Sequence, residues 1–74
     1  MTNLEAVVLR YVQNHPLTRH STVVEAIGDR DWHTQKRVRQ ALDFLTTIGL
    51  LIRTGATKRE YRYTVKGIEN GNQN

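Results

Sequence analysis

Residues 31–49, DWHTQKRVRQALDFLTTIG, carry the longest helical pattern in the chain. Asp31 suits the N-cap position, because its carboxylate can accept hydrogen bonds from the free amides of a first turn. Gly49 suits the left-handed residue that ends many helices. At about 100° per residue, the apolar side chains fall on one face: Val38, Ala41, Leu42, Leu45 and Ile48. The stretch therefore predicts one long amphipathic helix that anchors the core.

The opposite face of this helix is polar and mostly basic. It carries His33, Lys36, Gln40, Asp43 and Thr47, with Arg37 and Arg39 on the two flanks. Asp43 is the one carboxylate on this face, so the pattern favours contact with a polyanion. The alternative is a solvated face of the kind that every amphipathic helix has.

The charge is unevenly distributed along the chain. The 74 residues have a formal net charge of +4. Residues 36–66 contain eight Lys and Arg residues and two acidic residues, a net charge of +6. Residues 1–27 contain two basic and two acidic residues, a net charge of zero. Such asymmetry is typical of proteins that bind nucleic acid. A basic surface that serves only solubility is the alternative.

Length and composition argue against several classes of protein. A chain of 74 residues without cysteine is expected to form one domain without a disulfide or a thiolate metal site. The three histidines lack metal-ligand spacing, and neither a catalytic triad nor a phosphate-binding loop is evident. We therefore expect neither an enzyme nor a cofactor. The absence of a signal peptide pattern or a long apolar run predicts a soluble, cytoplasmic protein.

A first helix is predicted from Asn3 to Asn14. Thr2 and Glu5 have the spacing of a capping box, and Pro16 disfavours helix beyond residue 14. Its predicted apolar stripe consists of Leu4, Val7, Val8, Tyr11 and Val12.

Residues 17–30 predict a short helix and a turn. Leu17-Thr18-Arg19 can be extended and pair with a later strand. Thr22 and Glu25 repeat the capping-box spacing, which predicts a helix over residues 21–27 with Gly28 as a left-handed cap. A short helix, a tight turn and a longer basic helix make a helix-turn-helix arrangement.

After Gly49 the period changes to that of strands. Two antiparallel strands are predicted at residues 50–54 and 60–65, with Tyr61, Tyr63 and Val65 on one face. The connecting loop, GATKR, places Lys58 and Arg59 at its tip. Residues 1–67 then form the domain, and residues 68–74 are predicted to be a flexible polar tail.

This order resembles the winged helix-turn-helix superfamily over nearly the whole chain. The residues that carry the resemblance are STVVEAIG at 21–28, DWHTQKRVRQALDFLTTIG at 31–49 and LLIRTGATKREYRYTV at 50–65. The layout is also similar to small fimbrial-operon regulators of enterobacteria and to phage and plasmid regulators, on length and pattern alone. The resemblance implies a mainly α fold with a small antiparallel hairpin (α+β), that is, three helices plus a wing.

The resemblance also implies a function. Such proteins bind double-stranded DNA with the second helix of the helix-turn-helix in the major groove, and many regulate transcription. The wing tip, residues 55–59, would contact the backbone or the minor groove. Homodimers or tandem binding on DNA would raise specificity, and neither a membrane nor a small-molecule ligand is implied. The residues expected to contact DNA are His33, Thr34, Lys36, Arg37, Arg39, Gln40, Lys58 and Arg59.

Two other functions stay open at this stage. One is DNA binding for recombination, as in phage excisionases, or for replication. The other is a scaffold that binds only protein, through Trp32 and Phe44. Trp32 is expected either to pack in the turn before the long helix or to flank the backbone, with packing favoured. Phe44 is expected either to lie under the hairpin or to contact a second protomer. Arg53 and Arg62 are expected on the outer face of the strands, where they would extend the basic strip.

Overall fold

The computed structural model describes residues 1–67. In this range the elements are α1 (Asn3–Asn14), β1 (Thr18–Arg19), α2 (His20–Gly28), α3 (Trp32–Thr47), β2 (Leu51–Thr54), a 3-10 turn (Lys58–Glu60) and β3 (Arg62–Val65). The predicted α+β class, with three helices and a small antiparallel sheet, is confirmed. None of the helices in residues 1–67 has both the length and the apolar composition that crossing a membrane requires. The predicted polar tail, residues 68–74, lies outside the described residues.

Helix α1 begins as predicted. The amide of Glu5 donates to Thr2 Oγ1 at 3.1 Å, and the amide of Thr2 donates to Glu5 Oε1 at 2.9 Å, which completes the capping box. Val8 and Val12 are buried, but Val7 is 50% exposed, so the predicted apolar stripe was too wide. In a domain of this size, α3, α2 and β3 cover only one side of α1.

The sheet has three strands in the order β1–β3–β2, all antiparallel. Thr18 pairs with Tyr63, which confirms that residues 17–19 include a segment that pairs with a later strand. Both hairpin strands are shorter than predicted, because the chain turns at Lys58–Glu60 before β3 begins. The pairing of β1 fixes the start of α2 relative to the hairpin.

Helix α2 begins earlier than the sequence pattern indicated. It starts at His20, with Arg19 as an N-cap that makes no side-chain hydrogen bond, so the capping box predicted at Thr22 and Glu25 was wrong. The reason is the sheet. Arg19 is held extended by its pairing in β1, and the amide of His20 donates to the carbonyl of Tyr61 at 3.2 Å.

Gly28 has a different role from the predicted one. It is the last residue of α2, and the residue with positive φ is the next one, Asp29, with φ of 52°. A Cβ atom at Gly28 would lie 2.5 Å from Gln35 Cγ and 2.9 Å from Gln35 Cα. Glycine is therefore needed there because α2 and α3 approach closely.

Both predicted ends of α3 are confirmed. The amide of His33 donates to Asp31 Oδ1 at 3.2 Å at the N-cap, and Gly49 has φ of 87° after the C-cap residue Ile48. Ile48 itself is 49% exposed and does not belong to the buried stripe as predicted, since it lies beyond the last helical residue. The buried core consists of Val8, Val12, Val23, Val24, Val38, Ala41, Leu42, Leu45, Leu51 and Tyr63.

Candidate nucleic-acid interface

The surface of α3 that faces away from the core is a stripe of long polar and aromatic side chains. It consists of Trp32, Lys36, Arg39, Gln40 and Asp43, which we call the α3 outer face. Their spacing of i, i+4, i+7, i+8 and i+11 keeps them on one side of a helix. Lys36 and Gln40 are exposed and Arg39 is half-buried. Two cations and an amide therefore project together from the N-terminal half of α3.

Asp43 contributes little negative charge to this surface, because it forms an ion pair with Arg53. Arg53 was predicted on the outer face of the hairpin, and that prediction was wrong. Its register opposite Tyr63 places it on the core side of the sheet, where Nε donates to Tyr63 Oη at 3.0 Å. Its guanidinium carbon also lies 4.5 Å from the ring centre of Tyr61. The pairing with Arg53 leaves Lys36 and Arg39 to dominate the charge of the α3 outer face.

The hairpin brings one further cation, Lys58, next to a cation of α3. Lys58 and Arg59 are exposed on the 3-10 turn. Lys58 and Arg39 line one open cleft of about 410 Å³, together with His20, Ser21, Val24, Glu25 and Gln35. The cleft contains one carboxylate, that of Glu25, against two permanent cations. The structure thus brings a helix residue and a hairpin residue of the predicted set together.

Two residues of the predicted set lie elsewhere. Thr34 is half-buried, and its hydroxyl donates to Asp31 Oδ2 at 2.5 Å, a hydrogen bond that lowers the pKa of Asp31. Arg37 is exposed on the flank of α3 that faces α1, in a shallow depression beside Glu5 and Phe44. Gln40 also borders this depression, so it lies at the edge of the α3 outer face.

The two aromatic side chains that the sequence left open are both exposed. Trp32 is 59% exposed, so the expectation that it packs was wrong. Gln35, not Trp32, closes the contact between α3 and Gly28 of α2. His33 is exposed beside Trp32, with ring centres 5.0 Å apart. Phe44 is 44% exposed and borders the α1 depression, not the hairpin.

His20 is a residue of this surface that sequence reasoning did not single out. Its Nδ1 lies 3.1 Å from Tyr63 Oη, which also accepts a hydrogen bond from Arg53 Nε. Since Arg53 can only donate, the tyrosine hydroxyl is free to donate to an unprotonated His20 Nδ1. Burial lowers the pKa of His20, and the positive charge of Lys58 lowers it further. The contact joins residues 43 positions apart, so no local pattern indicates it.

The lowered pKa of His20 predicts that stability falls in mild acid. A histidine whose pKa is depressed by folding takes up protons more readily when unfolded, so stability present near pH 7 is lost as the pH falls through about 6.5. We expect the urea midpoint of the wild type to be lower at pH 5 than at pH 7. In His20→Gln this decrease should be smaller, while His33→Gln, which alters an exposed histidine, should retain it. An equal decrease in His20→Gln and wild type would contradict the assignment.

No protein-family model matches the chain, and comparisons with curated proteins and with solved structures likewise gave no match. The class of fold is α+β, three helices with a three-stranded antiparallel sheet. Among residues 1–67, no group of three or more His, Cys, Asp or Glu side chains is arranged to hold a metal ion. What characterises this surface is the positive charge of Lys36, Arg39 and Lys58, of which Arg39 lies close to the other two.

Proposed function

We propose that this chain is a sequence-specific double-stranded DNA-binding protein of the winged helix-turn-helix type. In this proposal α3 lies in the major groove and the hairpin tip, residues 55–59, contacts the phosphate backbone or the minor groove. One observation carries the proposal: Arg39 of α3 and Lys58 of the hairpin line a single cleft beside the exposed α3 outer face. Cations from two separate elements thus form one surface that can neutralise neighbouring phosphates.

The dimensions and side chains of α3 suit the major groove. Its 16 residues span about 24 Å at 1.5 Å per residue, and a helix fits the groove, which is about 12 Å wide. Lys36 and Arg39 can donate to guanine N7 and O6, and Gln40 can pair with adenine. The buried residues of α3 concentrate in its second half, so the first half is free to reach base edges.

The exposed aromatic residues favour DNA over a purely protein partner. Trp32 and Phe44 are twelve residues apart, which places them about 120° apart around α3. Trp32 lies among the cations, and Phe44 lies beside α1. They do not form the continuous apolar patch that protein interfaces use. We propose that the chain is a cytoplasmic regulator of transcription without enzymatic activity. It would gain specificity by binding DNA as a dimer or in tandem.

The proposal predicts strongly salt-dependent binding. If about four to six phosphates are neutralised, log K should fall with log[salt] at a slope of about −4 to −5. Gel shifts on genomic DNA fragments at a series of salt concentrations measure this slope. Absence of binding at about 50 mM salt, or an affinity that does not change with salt, would contradict the proposal.

A further inference from the structure

Trp32 is the one tryptophan of the chain, and it is 59% exposed among charged residues. It is the first residue of α3 and lies on the α3 outer face, one helical turn before Lys36. The ammonium group of Lys36 lies 5.7 Å from the centre of the indole ring. The ring therefore presents a large apolar surface at the end of α3 that the proposed function directs into the groove.

Few groups in the major groove can make an apolar contact with a protein side chain. The edges of the bases there are hydrogen-bond donors and acceptors, with one exception, the C5-methyl group of thymine. The phosphates of the backbone are charged and attract cations, not an indole ring. Trp32 lies one turn before Lys36 on the same face of α3, so a helix that brings Lys36 to the base edges brings the indole ring there as well. An indole that is exposed in the free protein then buries its surface on binding.

We propose that Trp32 contacts the methyl group of a thymine in the major groove, and that the target sequence carries a thymine at that position. This inference rests on the proposed function and adds one sequence preference to it. Burying one methyl group is worth about fourfold in affinity. The indole thus reads the methyl group of thymine, which the basic side chains of α3, as hydrogen-bond donors, do not read.

The test uses uracil, which is thymine without the C5-methyl group. Duplexes of about 20 base pairs, two helical turns, are selected from a random library with the wild-type protein. Each thymine is then replaced singly by uracil, and affinities are measured by fluorescence anisotropy. We expect one thymine whose replacement weakens binding of the wild type about fourfold, and no such effect of that replacement in Trp32→Ala.

Phe44→Ala is the matched control, because it removes the other exposed aromatic ring of α3, on the flank beside α1. It should keep the thymine preference. The fluorescence of the single tryptophan gives an independent readout, since bound duplex should protect Trp32 of the wild type from acrylamide quenching. If the wild type binds thymine and uracil duplexes equally at every position, this inference fails while the proposed function stands. If no duplex binds, both fail.

Discussion

Replacing both Lys36 and Arg39 with alanine is expected to weaken binding to a selected duplex by about 2–6 kcal/mol, at least roughly 30-fold in affinity. Each side chain can make a two-pronged contact with a guanine edge, worth about 1–3 kcal/mol. Neither charge is offset on the α3 outer face, since Asp43 there pairs with Arg53. The affinity is measured from the fluorescence anisotropy of a labelled duplex as protein is added at a fixed salt concentration.

A matched control removes two positive charges from other parts of the molecule. Arg10 is exposed on α1, in a pocket beside Val7 and Tyr11, and Lys66 is exposed at the base of the hairpin, away from its tip. Replacing these two residues with alanine lowers the net charge equally and should weaken binding far less. If the control variant lost as much affinity as the α3 variant, binding would depend on net charge alone and α3 would not be a recognition helix.

The features of the fold that follow from local spacing could be predicted from the sequence. The capping box of α1 and both ends of α3 are set by residues within a few positions of each other. The start of α2 was not predictable in this way, because strand pairing with β3, more than 40 residues later, holds Arg19 extended. Similarly, Gly28 has the sequence context of a helix cap, but the close approach of α3 determines its role.

The candidate site was predictable in composition but not in arrangement. The sequence identified the basic segment, yet it gave no way to tell which arginine would be paired. Arg53 and Arg62 both lie in segments with the alternating pattern of a strand, so the pattern does not distinguish them. Only the register of β2 against β3 shows that Arg53 contacts Asp43 and Tyr63, while Arg62 donates to the carbonyl of Leu17. For Trp32 the helical spacing to Lys36 and Arg39 was available, but packing in the turn before α3 was favoured, and Gln35 makes the contact with α2 instead.

Tyr63 connects the core to the proposed interface. Its side chain is fully buried, and its hydroxyl group lies between His20 at the start of α2 and Arg53 in β2. Arg53 in turn pairs with Asp43 of α3. One residue of β3 therefore fixes the hairpin against both α2 and α3, and with it the position of Lys58 relative to Arg39.

Replacing Tyr63 with alanine is therefore expected to destabilise the protein by about 3–5 kcal/mol, the range for deleting a buried aromatic side chain. A domain of this length has a total stability of about 4–11 kcal/mol. The variant should thus lose a large part of its stability, and at the lower end of this range it would be unfolded. Urea unfolding followed by circular dichroism measures the change, and a loss below about 1 kcal/mol would contradict the burial of this ring.

Tyr63→Phe separates packing from hydrogen bonding at the same position. It keeps the ring but removes the hydroxyl group from His20 and Arg53, and it should cost about 1–3 kcal/mol. We expect the lower end of this range, because Arg53 retains Asp43 and its side chain is 22% exposed to water. Tyr61→Phe, which removes the hydroxyl group of a half-buried neighbour but keeps the ring that Arg53 contacts, should be nearly neutral. If Tyr63→Phe were as unstable as Tyr63→Ala, the hydroxyl group and not the ring would hold the hairpin against the helices, and packing would be the smaller contribution.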